Sequence, residues 1–459
     1  MSGLTNTLAK RRWALSLWLL ILCITAVSFV FGLGGDMFHG HLDQGQSLMA
    51  GVAPANPGFP MWGYSFLADL FGETIVFFQL VFVVSITIPL YRTARKLLGI
   101  PYEIKTLAAG LLFTALLIPW FFLTLSYWNN SVWSLFSVAA YLLLVNRFAE
   151  EDAPIGDCAL VGLLLGLAYN FRTESLMTAI LLTGSLLICW RFQQRRVSYL
   201  RGVSVMAATM MVCLVPYLVF TSAVFGKPRL TTTNGGGVAY RGLGYLPDNP
   251  WNAKPYDVFV RDKIASLTDQ GPWSLEGDEI LGSMFYRAVS EHPWAFARRL
   301  LVGLRMNLLQ GLHLPRIDEI LYPDERDRMF VDLLRERLKA RLGLDVKEYQ
   351  LESYADHGIR VEDVHSGHYA ALAAEFAVRA LYGAEWLLLV ALSALAVFRN
   401  GLFRRETLFF LSFFLPMLFV SMAFQTIPRH TASLLPITLL FCIGGHADFI
   451  REKFFPGDE

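Results

Sequence analysis

Apolar positions in this chain cluster into long runs. These fall near 13–33, 73–90, 106–125, 132–146, 157–169, 175–190, 202–222, 376–398, 406–424 and 430–446. Most approach the ~20 residues that an α-helix needs to cross a hydrocarbon layer. The fifth run is short and holds Asp157, Gly162 and Gly166, which suits a tilted span or a tight hairpin with its neighbour. The pattern predicts an all-α polytopic membrane protein with about ten spans. The polar stretch after the seventh run is too long for a simple connector. Three units follow: an N-terminal transmembrane module (1–222), a soluble segment with amphipathic helices (223–369) and a C-terminal transmembrane module (370–459).

Within the polar segment, Thr231–Pro250 is rich in Gly, Asn and Pro and reads as loop. Asp278–Leu309 reads as helix, broken or started at Pro293. Its Arg298, Arg299 and Arg305 lie among leucines, a basic amphipathic pattern suited to the membrane interface. Asp324–Lys347 reads as a solvated helix with Met329, Phe330, Leu333, Leu334 and Leu338 on one apolar face.

Composition agrees with the runs. Of 459 residues, 54% are hydrophobic and only 17% are charged, against about 25% charged in an ordinary soluble domain. A formal net charge of +1 argues against nucleic acid as a partner. The five cysteines, Cys23, Cys158, Cys189, Cys213 and Cys442, lie in or beside apolar runs, where packing is their expected role. The first run follows Lys10, Arg11 and Arg12. It is longer than a signal-peptide core and lacks a small-x-small cleavage site, so it reads as a retained span.

Lys and Arg set the orientation. They crowd the start, the link after the second span (Arg92, Arg95, Lys96, Lys105), the link after the sixth (Arg191, Arg195, Arg196, Arg201), the link after the eighth (Arg399, Arg404, Arg405) and the tail (Arg451, Lys453). The alternate loops are nearly free of them: none in Gly34–Gly72, and only Arg172 and Arg429 in two later turns. The positive-inside rule then puts both termini in the cytoplasm and segment 223–369 outside.

The loop Gly34–Phe71 holds the strongest candidate chemistry. Asp36 sits just past the first span, where a carboxylate can meet a lipid-linked substrate at headgroup depth and act as a general base. His39, His41 and Asp43 follow it. Their spacing matches no zinc signature, so no metal is expected, although a divalent ion is compatible with such donors. Arg172 and Glu174 interrupt an apolar hairpin, where the cation can hold a phosphate or simply pair with its neighbour. Arg429 and His430 occupy a matching span end. Tyr240, Asn249 and Trp251 are candidate sugar contacts. There is no GxSxG, Walker A, Rossmann glycine pattern or HExxH. An external sugar transferase would need a lipid-phosphate donor, because nucleotide sugars are cytosolic.

Four stretches carry a family resemblance: GGDMFHGHLDQGQSLMAGVAPANP with GYSFLADLFG, PLYRTARKLLG (Pro89–Gly99), GLLLGLAYNFRTESL (Gly162–Leu176) and PRHTASLLP (Pro428–Pro436). In their order the chain resembles the integral-membrane glycosyltransferases of the GT-C superfamily, most closely the bacterial protein O-mannosyltransferase and aminoarabinose transferase group. The resemblance implies a GT-C-like helical bundle in a bacterial inner membrane and a polyprenyl-phosphate sugar as donor. The acceptor is a glycan, lipid or protein hydroxyl, the surroundings are membrane lipids, and no cofactor is needed. It implies Asp36 as catalytic base and Arg172 and Arg429 on the lipid phosphate. Asp43, His39, Glu174, Tyr240 and His430 stand as further substrate contacts. Met37 takes the place of the second acidic residue found in many members, and His430 the place of a frequent tyrosine. Two other functions fit the same orientation: an O-antigen polymerase or ligase, and a transporter or flippase of lipid-linked sugar.

Overall fold

In this computed structural model the described residues are 46, 62–99, 112–124, 129–148, 154–192, 197–255, 257–269, 274–309, 325–341, 359–424 and 428–454. Among them all regular structure is helical, without a strand. In chain order the helices are α1 Trp62–Phe71, α2 Ile75–Leu98, α3 Ile118–Thr124, α4 Asn129–Arg147, α5 Ile155–Tyr169, α6 Glu174–Phe192, α7 Val197–Phe225 and α8 Gly235–Leu243. Then come α9 Asp257–Ala265, α10 Leu275–Glu291, α11 Pro293–Leu309, α12 Glu325–Arg341, α13 Ser366–Asn400, α14 Arg405–Ala423, α15 Pro428–Gly445 and α16 Ala447–Phe454. The apolar runs from residue 73 onward fall on helices, the third on helical residues 112–116 and α3. The run at 13–33 lies outside the described residues.

Among the described residues five helical stretches are long and apolar enough to cross a membrane: Phe77–Leu98, Glu174–Arg191, Tyr199–Phe225, Ser366–Asn400 and Arg405–Ala423. The apolar helix α5 and the stretch Thr431–Gly445 of α15 are shorter. This is a helical membrane protein. α4 has 19 residues, but its polar first turn, Asn129–Ser131, dilutes its apolar character. That turn sits inside the bundle, with Asn130 and Ser131 both buried.

Small residues and interhelical hydrogen bonds bring the helices together. Gly162 and Gly166, four apart on α5, face α7 so closely that a Cβ would stand 2.2 Å from Met206 O and 2.4 Å from Cys213 Cβ. Contacts of this kind drive helix association where lipid is as apolar as the side chains. Buried polar groups add bonds between helices. Gln79 donates to Ser131 at 2.8 Å, Trp120 to Ser134 at 2.8 Å, Trp133 to Ser175 at 2.7 Å, and Ser134 to the Ser433 carbonyl at 2.9 Å.

The bundle has two chemically different ends. At the first, Arg405 at the start of α14 donates to the Phe148 carbonyl just past α4, at 2.8 Å. At the second, Asn130 at the start of α4 accepts from Arg172 in the α5–α6 turn. The segment α8–α11 docks at the second end. There α8 is a helix where sequence composition predicts loop, because its glycines serve close approach. A Cβ on Gly236 would stand 2.1 Å from the Asp278 carbonyl of α10, and one on Gly242 2.2 Å from the Phe424 carbonyl beyond α14. Ser274 caps α10, accepting the Gly277 N–H at 3.0 Å. Pro293 opens α11, a position where its missing N–H is not needed.

α13 starts ten residues before the predicted span at 376. Its 35 residues extend about 52 Å, well beyond a hydrocarbon thickness of about 30 Å. The extra length is covered by α12, through Val331, Leu334 and Leu372. The buried Glu375 accepts from Arg335 at 2.8 Å and from Arg379 at 2.6 Å.

Candidate functional site at the second end of the bundle

Asp36, His39, His41 and Asp43 lie outside the described residues. The downstream end of their loop is fixed where α1 begins. There the Gly63 N–H donates to the Asn170 carbonyl at 3.0 Å, and the approach is so close that a Cβ on Gly63 would be 2.5 Å from that oxygen. Asn170 is two residues from Arg172. The candidate loop and the candidate cation thus meet at one turn, although α1 and α5 are far apart in sequence.

Arg172 is mostly buried and well tied. Its Nε and one Nη donate to the two carboxylate oxygens of Glu174, the Nε bond at 3.1 Å, and its other Nη donates to Asn130. A forked Arg–carboxylate pair of this kind fixes the guanidinium plane. Among the described residues three of its five N–H groups have partners.

Arg429 and His430 lie in the first turn of α15, and only their backbone is described. Phe424, just past α14, is braced from the polar segment. Arg299, fully buried on α11, donates from Nε to the Gly242 carbonyl and from Nη2 to the Phe424 carbonyl at 3.4 Å. Its guanidinium also lies 5.1 Å from the centre of the Tyr245 ring. Among the described residues its Nη1 has no hydrogen-bond partner and no carboxylate pairs with it. Burial pushes its pKa down to about 10, so it stays charged near neutrality. Sequence alone grouped Arg299 with Arg298 and Arg305 as interfacial cations, but those two are exposed. The signal was its phase: Phe296, Arg299, Gly303 and Asn307 share one helical stripe, and the last three are buried.

Asp278 performs the same task on the other side of α8. Its two carboxylate oxygens accept from the Gly236 N–H at 2.6 Å and from Arg229 at 2.7 Å. Burial raises its pKa, against the opposing pull of those two partners. Tyr240, a predicted sugar contact, is 5% exposed and packs in the α8–α10 core, with its ring 6.3 Å from Phe259. Asn249 is occupied with the Leu246 and Ala253 carbonyls, and Trp251 with the Ala288 carbonyl.

Beneath this end an apolar cleft opens between α11, α13, α14 and α15, lined in part by Leu304, Trp386, Phe414, Met417 and Thr431. Thr431 is two residues past Arg429. Comparison of the chain with protein-family models, with curated proteins and with solved structures gave no match.

Proposed function

We propose that the protein is a glycosyltransferase of GT-C-like architecture. It moves a sugar from a polyprenyl-phosphate donor to an acceptor hydroxyl on the external face of a bacterial inner membrane. The second end of the bundle is the external one, about ten spans cross the bilayer, and both termini are cytoplasmic. Asp36 takes the proton of the acceptor hydroxyl. The acceptor oxygen attacks the anomeric carbon as the bond to the phosphate oxygen breaks, inverting the configuration. Arg429 and Arg172 stabilise the charge that develops on the departing phosphate. Glu174 orients Arg172, while His39, Asp43 and His430 shape the sugar and acceptor sites.

One observation supports this reading above the others. The end of the first loop, the Arg172 turn and the start of α15 gather at one end of the bundle, beside a cleft suited to a prenyl chain. A transporter would instead place ionisable groups near mid-membrane in repeated halves.

The test is transfer from a synthetic polyprenyl-phosphate sugar by purified protein. Arg429→Ala is expected to lower transfer by about 10–150-fold, the loss of a charge-assisted hydrogen bond. The exposed Arg305 on α11 is the control, and Arg305→Ala should change little. Equal, small effects would reject the phosphate role. Absence of transfer by the wild-type protein from any lipid-phosphate sugar would reject the reaction class. Orientation has its own check. A topology reporter inserted after Asp269, in the turn between α9 and α10, is expected to report the external side, and a cytoplasmic signal there would overturn the placement of the site.

A further inference from the structure

A second cluster lies away from this site, where α12 meets the first turn of α13. Asp327, His365 and His368 each bring one ligand atom within 4.8 Å of the others. His368 Nε2 and Asp327 Oδ1 are 3.1 Å apart. Two donors on one tetrahedral zinc, each at ~2.0–2.1 Å from the ion, stand about 3.3 Å from one another. The His368 ring is buried, stacked at 4.9 Å on Phe330 and at 3.7 Å on His365. One nitrogen donor is therefore held in place by packing. The other two ligands stand on the exposed His365 and the half-exposed Asp327.

We propose that Asp327, His365 and His368 form a zinc site that fastens α12 to the start of α13, with water in the fourth position. Two nitrogens and one oxygen suit a borderline ion such as Zn²⁺ better than Ca²⁺ or Mg²⁺, which prefer all-oxygen sites. Binding exchanges one set of bonds for another. Without the ion both Nδ1 atoms accept backbone N–H groups: Gly367 donates to His365, and His365 to His368, each at 3.2 Å. Both rings then carry their proton on Nε2, and His368 donates it to Asp327. Ligation through Nε2 moves the proton to Nδ1 and gives up these two long capping bonds. Three ligands on one ion replace them, and the ion ties two helices that otherwise join through Val331, Leu334, Leu372 and the Arg335–Glu375 pair. This site stands independently of the transferase reading.

The experiment titrates chelator-stripped full-length protein in detergent with Zn²⁺ against a chromophoric competitor. Thermal unfolding is followed with and without the ion. Wild-type protein is expected to take up one tight equivalent and to unfold at higher temperature with Zn²⁺ present. Asp327→Asn and His365→Gln should each weaken uptake by about tenfold or more and remove the thermal shift. Both leave the buried His368 ring on Phe330, so the fold is retained. No stoichiometric uptake by wild-type protein would overturn the proposal. So would undiminished uptake by both variants, which would put the ion on other histidines.

Discussion

Arg299→Ala is expected to destabilise the protein by about 3–5 kcal/mol. Arg298→Ala, one residue earlier on α11, is expected to be nearly silent. The difference is burial. Arg298 is exposed, whereas Arg299 is fully enclosed. Truncating it leaves the Gly242 and Phe424 carbonyls without their shared donor and removes the cation from beside Tyr245. It also opens a void beside Gly303, which has no side chain to fill it. Arg299→Met separates the contributions: it restores most of the volume but none of the hydrogen bonds, so it should fall between alanine and wild type. Arg299→Lys keeps a charge but cannot reach two carbonyls with a planar fork. The measurement is the unfolding midpoint in detergent, with transfer normalised to folded protein. Because Phe424 leads into the turn that carries Arg429, transfer per folded molecule should fall too. If the alanine variant unfolds like wild type, Arg299 is not the clamp between α8 and the end of α14.

The membrane character of the chain was legible because it depends on local composition. The described residues of nine apolar runs, from 73–90 to 430–446, fall on helices, since a 20-residue apolar run has few other ways to satisfy its backbone. What composition could not convey was which polar residues belong inside. Asn130 and Ser131 read as a span boundary, yet they are buried, because Arg172 reaches Asn130 from the α5–α6 turn and Gln79 reaches Ser131 from α2. Gly235–Gly237 read as loop, yet they start a helix that must lie against Asp278. The run predicted at 376 starts ten residues too late for α13, since nothing local shows that Arg335, forty residues earlier, satisfies Glu375.

The site divides along the same line. Arg172 and Glu174 stood out because charges are rare inside apolar runs, and the structure joins them to each other and to Asn130. Their nearness to the first loop was not legible. It depends on Gly63 meeting Asn170, a contact between residues 107 positions apart. His365 and His368 went unremarked because HSGH sits in a charged stretch with no apolar frame, and their third partner, Asp327, comes from another helix.

Asp36→Asn is expected to leave folding and membrane insertion intact and to lower transfer by about 10²–10⁴-fold, the usual loss when general-base help is removed. The amide matches the carboxylate in size and still accepts hydrogen bonds, but it cannot take the acceptor's proton. A purely structural aspartate would behave differently: the amide would preserve most of its bonds, and activity would fall only in step with folded protein. Asp43→Asn is the comparison within the same loop, with the same charge change seven residues further from the first span. If Arg172 and Arg429 hold the lipid phosphate, the Asp36 variant should still bind donor, so its defect should appear in the rate at saturating donor and not in the donor concentration required. The decisive measurement is single-turnover transfer from a polyprenyl-phosphate sugar for both variants, with donor binding measured separately. Wild-type-like transfer by Asp36→Asn removes the base from this position. Loss of transfer in Asp43→Asn alone moves the base seven residues along the loop and keeps the reaction. Loss of donor binding in Asp36→Asn, with transfer restored at high donor concentration, makes Asp36 a binding residue and leaves the proton with another group at the second end of the bundle.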